Sequence, residues 1–338
     1  MKINRSELLE KLESLVGGIS SKEIIEQSHC FVFTEERIAT YNDEVSCSIA
    51  NPFKGIEGAV PAHPLLAVLK KLDVEEVDVE LTEKGLKVKK GRSGATINVQ
   101  KQVALPIASI EKPGSWKELP EKFDEAVQMA IECAGDDISR FRLTCLHLHP
   151  DWIEASDNAQ LIRYKIKLGL KTGVLVRASS MGYVIGLKVE KFSETEDWIH
   201  FANGKGVTIS CRRYMHGYPD LARYLKLSGN KVQLPDNIKA SLDRCNIFSS
   251  ENIGMNLVTV GLLPNELRIM GKSPSGSYVE NIEMKYEGTP TRFRISPILF
   301  GEVVAKSKEC IVASGKIKVV SEDATLWEYV TATSVVED

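Results

Sequence analysis

A chain of 338 residues with 43% hydrophobic content carries enough apolar material for two or three separate cores. A formal charge of −3 excludes a protein that holds nucleic acid by bulk positive charge alone. No apolar run reaches the roughly 18 residues of a spanning helix. The start Met1-Lys2-Ile3-Asn4 shows no signal-peptide pattern. The seven cysteines are odd in number, scattered, and never Cys-x-x-Cys, as expected of buried free thiols in a reducing cytoplasm rather than a disulfide framework or zinc site.

In chain order, Leu8, Leu9, Leu12, Leu15 and Val16 recur at helical spacing and Gly17-Gly18 end the stretch. A second helix opens at Val60-Pro61-Ala62, with Pro61 in a first-turn position and Leu65, Leu66, Val68, Leu69 and Leu72 behind it. Hydrophobicity then alternates through Val77-Asp78-Val79-Glu80-Leu81, a Glu83-Lys84-Gly85 turn and Leu86-Lys87-Val88-Lys89, the pattern of a hairpin. Turn formers at Lys112-Pro113-Gly114-Ser115 read as a linker. The plan then repeats. Leu119-Pro120-Glu121-Lys122-Phe123 leads into a stripe of Phe123, Ala126, Val127, Ala130 and Ile131; Val176-Arg177-Ala178 opens the second helix; and a hairpin turns at Asn203-Gly204. After a second linker near His216-Gly217-Tyr218-Pro219-Asp220, Leu234-Pro235-Asp236-Asn237-Ile238 restates the phrase at Leu119, 115 positions on. Ile238, Leu242, Cys245 and Ile247 form its stripe, Ile295-Ser296-Pro297 opens the last helix, and Ile311-Val312 and Ile317-Lys318-Val319 flank a turn at Gly315. A period near 115 residues is too long for a solenoid repeat, so each unit is a small domain. The expected fold class is α+β, with two helices and antiparallel sheet in each of three domains, 1–115, 116–225 and 226–338.

Chemistry-bearing clusters are sparse. His147-x-His149 places two imidazoles on one strand face without a third ligand. Asp136, Asp137 and Asp151 read as loop carboxylates rather than a nuclease metal set, and Ser20-Ser21-Lys22 lacks the rest of a nucleophilic site. Gly91-Arg92-Ser93-Gly94 lies in a hairpin connection, and Gly271-Lys272-Ser273 has Glu266 where a phosphate-binding loop needs its first glycine. The expectation is a scaffold without catalytic residues, metal or cofactor.

The segment Val60-Pro61-Ala62-His63-Pro64-Leu65-Leu66, followed by Val77 to Leu81 and Leu86 to Ser93, resembles the first domain of the bacterial DNA sliding clamp, the β subunit of DNA polymerase III. Ile153-Glu154-Ala155-Ser156-Asp157-Asn158-Ala159-Gln160-Leu161 is similar to the strand and turn of that family's middle domain. Gly217-Tyr218-Pro219-Asp220 with Ala222-Arg223-Tyr224-Leu225 resembles its linker into the third domain. These segments run in the family's order along the whole chain. The chain is shorter than a typical bacterial clamp, which points to a phage or plasmid type of relative.

The resemblance implies a head-to-tail homodimer of six domains around duplex DNA: a cytoplasmic processivity factor with no active site, whose partners are double-stranded DNA, a DNA polymerase, a clamp loader and a second copy of itself, and no membrane. A clamp-fold interaction module or replication regulator that does not encircle DNA is the alternative. Basic residues on or beside the predicted helices are the candidates for DNA contact: Lys70, Lys71, Lys239, Arg244, Lys306 and Lys308 on helices, with Lys22, Arg140, Arg142 and Arg177 at element edges. Glu7, Glu10, Glu13, Glu121, Asp124 and Glu125 run against that reading. The resemblance also implies a partner-peptide pocket of Arg140, Arg142, Leu143, Ser156, Asn158, Leu161, Leu299, Val330 and Ala332. Ala159-Gln160 and the tail Thr333 to Asp338 depart from the family's pattern there. The ring contact would join an edge strand over Thr96 to Gln100, through Ile97 and Val99, to Ile247 and Phe248 of the second copy.

Overall fold

The structure is a computed structural model that describes residues 1–252, 255–313, 315–321, 326–332 and 334–335. Its α-helices are α1 (Arg5–Glu13), α2 (Ala62–Lys71), α3 (Phe123–Cys133), α4 (Ala178–Gly186), α5 (Ala222–Leu225), α6 (Ile238–Asn246) and α7 (Pro297–Lys306). All but the short α5 fall where the periodicity puts them, as three pairs. The chain divides into two compact units, Met1–Asp124 with Gly169–His216, and Glu125–Leu168 with Gly217–Asp338.

Local chemistry explains the helix ends. The Asn4 side chain accepts the Glu7 amide at the start of α1, and Pro297 opens α7, where a missing N–H costs nothing. Pro61 differs from expectation: it is the N-cap of α2, and Pro64 occupies the first turn. The α1 stripe also ends early. Leu8, Leu12 and Leu15 are buried, but the backbone tightens into a 3-10 turn at Val16–Gly18 and rotates Val16 to the surface. Gly18 does more than stop a helix. A Cβ there would lie 2.3 Å from Thr40 Oγ1, which donates to Leu15 O, so only glycine permits this approach to the neighbouring strand.

In the first unit one sheet has the strand order Gly58–Pro61, Cys30–Phe33, Arg37–Tyr41, Val45–Ala50, Thr208–Arg212, Trp198–Ala202, Lys191–Glu194, Lys117–Glu118. A smaller sheet joins Lys2–Asn4, Glu76–Thr82, Gly85–Lys90 and Ser93–Ile97. In the second unit the order is Cys145–His149, Trp152–Ser156, Gln160–Lys165, Trp327–Ala332, Lys316–Val320, Glu309–Ala313, Asn230–Gln233. Its other sheet runs Gly276–Glu283, Glu266–Ser273, Met255–Leu263, Thr291–Ile295, Ser334–Val335. Every pairing within these runs is antiparallel, and the three hairpins anticipated at Glu83-Lys84, Asn203-Gly204 and Gly315 are present.

The repeat reappears as a seam. Val45–Ala50 pairs with Thr208–Arg212, and one period later Gln160–Lys165 pairs with Trp327–Ala332. The next copy of the first strand is Gly276–Glu283, and the earlier copy of the second is Ser93–Ile97. Each of these is an edge strand of its sheet.

The first unit buries an imidazole. His200 Nδ1 is 2.7 Å from Ser210 Oγ and its Nε2 is 3.0 Å from Thr195 Oγ1. Burial pushes its pKa down to about 4; Glu111 opposes that shift and Arg213 adds to it. The unfolded imidazole titrates near 6.5, so between these values the unfolded chain binds the extra proton. Stability is therefore expected to fall as pH drops from 6.5 through 4, by a few kcal/mol at most. His200→Gln should flatten this slope in urea unfolding series taken across that range, and an unchanged slope would refute the assignment.

Candidate partner-peptide pocket and charged faces

The pocket grows from one seam of the second unit. Leu161 and Val330 face each other across paired strands, and Ala332 N–H donates to Ala159 O at the strand end. The turn between Trp152–Ser156 and Gln160–Lys165 is fixed by Asp157, whose carboxylate accepts the amides of Ala159 and Gln160. Asn158 takes the left-handed conformation this turn requires. Ser156 Oγ donates to Gln160 O, and Gln160 Nε2 donates to Glu132 O while its Oε1 accepts from Tyr329. Gln160, a departure from the family pattern, thus anchors the turn from beneath.

A cavity of about 460 Å³ opens above these strands. Of the expected pocket residues, Leu143, Ser156, Asn158, Leu161, Val330 and Ala332 line it. Arg140 and Arg142 do not. Arg140 is exposed beside Asp137, and Arg142 donates to Gly217 O at 3.0 Å, bracing the chain that leads to the wall. The Leu299 side chain lies outside the described residues.

The segment read as a linker supplies the rest of the wall: Pro219, Asp220, Leu221, Arg223 and Tyr224, with Lys316 from the adjoining strand. Asp220 Oδ1 accepts the amide of Ala222, the first residue of α5. Leu221 and Leu225 then pack with Leu161 and Val330 in one buried cluster, against which Tyr218 and Tyr224 lie. The spacing of Leu221, Tyr224 and Leu225 is helical, a signal the turn formers before it obscured.

On the same sheet His147 and His149 are not arranged for metal. His147 Nδ1 lies 2.7 Å from Glu154, which Arg163 also holds through Nε and Nη2, and His149 stacks on Trp152. Burial would raise the Glu154 carboxyl, but the contacts from His147 and Arg163 outweigh it and hold it below the usual range. Among the described residues no group of three such ligands comes together.

The DNA candidates divide by what already engages them. Lys22 and Lys71 are exposed. Lys70 pairs with Glu13 at 2.8 Å, and Lys239 is half-buried on α6. Arg177 keeps only 16% of its side chain exposed beside Glu44, and Arg244 is gripped by both oxygens of Glu280. Lys308 is not helical. It follows α7 and donates to Val304 O, where the carbonyls of a helix end attract a cation. The Lys306 side chain lies outside the described residues. The α1 carboxylates that opposed DNA contact are each matched: Glu7 with Lys11, Glu10 with Lys205 and Glu13 with Lys70.

Of the expected ring residues, Ile97 is buried at the end of Ser93–Ile97 and Val99 lies half-buried against Gly58. The strand expected over Thr96 to Gln100 ends at Ile97, because Gln100 bridges instead to Ala59. Ile247 is 74% exposed at the end of α6, and the half-buried Phe248 rests on Gly276, the first residue of the edge strand Gly276–Glu283.

Six helices in repeated order, antiparallel sheets and a recurring seam define a clamp-type α+β fold. No family model and no curated protein sequence matches the chain. Solved structures do: the fold is that of bacterial DNA polymerase III β subunits, the sliding clamps. The subunit from Pseudomonas aeruginosa is 19% identical at a TM-score of 0.82, covering 99% of this chain and 100% of its own. The C. crescentus β sliding clamp is 16% identical at 0.85, and the Thermotoga maritima β subunit 18% identical at 0.82, each covering 99% of both chains.

Proposed function

We propose that this chain is a DNA sliding clamp: a homodimeric ring that encircles duplex DNA and tethers a replicative polymerase, with no active site of its own. The recurring seam carries the reading. Two copies of it close inside the chain, and the two strands that would make the third are both open edges. Ser93–Ile97 of one copy pairing with Gly276–Glu283 of another repeats the seam, and doing so twice closes a head-to-tail dimer. Val279, 49% exposed on that edge, and the exposed Ile247 beside it are apolar surface consistent with such a contact.

On this reading the three domains are 1–115, 116–225 and 226–338, and the protein works in the cytoplasm. Its partners are double-stranded DNA, a DNA polymerase and a clamp loader, the last two docking through peptides in the pocket at Leu161 and Val330. Held by topology, the ring needs only weak phosphate contacts. Lys22 and Lys71 are the exposed candidates whose side chains make no ion pair or hydrogen bond among the described residues, and the paired carboxylates of α1 no longer oppose them. Light scattering tests it: the expected mass is twice 37.5 kDa at micromolar concentration. Once loaded, the ring should stay on circular duplex and leave when that duplex is linearised. A stable monomer across that range would sink the ring and favour an interaction module that does not encircle DNA.

A further inference from the structure

The seam that carries the pocket has a counterpart one period earlier, in the first unit. There Ser46 pairs with Ser210 at the step where Leu161 pairs with Val330, and a short turn, Ile107–Ser109, precedes α5 by one period. Ile107 and Ile110 pack on the buried cluster of Tyr41, Leu105 and Trp198, which holds this strap over the sheet. A cavity of about 380 Å³ opens beneath it. Its floor is polar. Ser46 with Ser210 and Ser48 with Thr208 line it as two facing pairs of hydroxyls, and Ala39 opposite Ser48 leaves the space above them open. Two of the four protons are spent inward. Ser46 Oγ donates to Thr40 O. Thr195 Oγ1 donates to Trp198 O and so accepts from His200 Nε2, which leaves Nδ1 of that neutral ring to accept from Ser210. The hydroxyls of Ser48 and Thr208 have no partner among the described residues. Arg37, half-buried on the next strand, lines the same cavity, and its guanidinium meets no carboxylate among the described residues. It stands diagonal to Ser48, a separation of roughly 7–8 Å that a side chain of its length spans. Lys112 adds an exposed ammonium. The one carboxylate in the lining, Glu111, is engaged by the Asp197 amide.

We infer that this cavity is a site for a phosphate monoester, its phosphoryl group held by Arg37, Ser48 and Thr208 and its organic part against the half-buried Trp116. Uncommitted donors on three side chains call for a ligand that accepts at several atoms and carries negative charge. A phosphoryl group offers three terminal oxygens, two of which fit the guanidinium fork, whereas a carboxylate offers two in all. The aliphatic side chain that suits Leu161 and Val330 does not suit this floor, because it would leave the hydroxyls of Ser48 and Thr208 covered and unpaired. The two cavities share a seam and differ in the chemistry they accept.

The test uses the full-length protein in phosphate-free buffer, titrated by calorimetry with phenyl phosphate, benzoate and phenol. Phenyl phosphate is expected to bind with a Kd of about 1 mM or below, benzoate about tenfold more weakly, and phenol not measurably. Its affinity should fall as salt rises. R37Q should weaken phenyl phosphate about tenfold, and S48A with T208V about fivefold. A332D, at the other cavity, should leave it unchanged. Near-UV circular dichroism confirms that each variant is folded. Absence of phenyl phosphate binding to the wild type at about 10 mM overturns the site. Binding that R37Q and the double variant both retain in full overturns it too, since the ligand then sits elsewhere. Equal affinity for phenyl phosphate and benzoate overturns the selection of phosphate.

Discussion

Ile247→Asp is expected to turn the proposed dimer into a monomer at micromolar concentration and to end retention on circular DNA, while each chain stays folded. Ile247 contributes little to its own unit, being 74% exposed beyond the last turn of α6. Its neighbour Phe248 rests on Gly276, so the pair stands at the start of the open strand Gly276–Glu283. A carboxylate placed there must be desolvated when the second copy arrives. Losing an interface anchor commonly costs about 2 kcal/mol or more, which raises Kd roughly thirtyfold, and an unpaired buried charge adds to that. Val279→Asp, on the same open edge, should act in the same direction. Ile97 is a poorer probe. It is buried and paired with Leu86 in its own sheet, so Ile97→Ala combined with Phe248→Ala would open a cavity as well as weaken the contact. Light scattering and urea unfolding of each variant separate the two effects. A variant Ile247→Asp that remains dimeric would remove this corner from the interface.

The helices were legible because their apolar spacing is strong and their starts are marked by Asn4, Pro61 and Pro297. The hairpins were legible because alternation meets a turn at Glu83-Lys84, Asn203-Gly204 and Gly315. The pairing of strands was not. Nothing in the local pattern of Val45–Ala50 names Thr208–Arg212 as its neighbour more than 150 residues away, since a sheet edge accepts any strand of suitable pattern. Only the repeat, once one seam is seen, specifies the others.

The pocket was partly legible for a similar reason. Leu143, Leu161, Val330 and Ala332 were reachable through the resemblance, which also implied Arg140 and Arg142, although those two do not line the cavity. The wall from Pro219 to Tyr224 was hidden because Gly217-Tyr218-Pro219-Asp220 carries strong turn chemistry. The same Asp220 that signals a turn also accepts the amide of Ala222, the first residue of the short α5 behind it. Charge gave the weakest guidance of all. A sequence shows that Arg177 and Arg244 are basic but not that Glu44 and Glu280 already engage them.

Leu161→Asp is expected to abolish capture of a polymerase C-terminal peptide, the largest single loss at this site. Leu161 is 6% exposed, faces Val330 across the seam and forms the pocket floor with Leu221 and Leu225. An aspartate there removes the apolar contact and sets a carboxylate among aliphatic groups that offer it no partner, a cost of several kcal/mol borne by the fold as well as by the ligand. Loss of binding by this variant alone could therefore reflect a loosened sheet. Ala332→Asp separates the two. Ala332 lines the same cavity but is exposed, and its hydrogen bonds are backbone ones: its amide donates to Ala159 O and its carbonyl accepts from Thr331 Oγ1. A charge at that point should leave unfolding unchanged within about 0.5 kcal/mol, as surface substitutions usually do. It should still set a charge at the mouth of the apolar floor and narrow the approach to it, weakening binding at least tenfold. If Ala332→Asp is stable and binds the peptide as tightly as the wild type, the cavity is interdomain packing and the docking surface lies elsewhere.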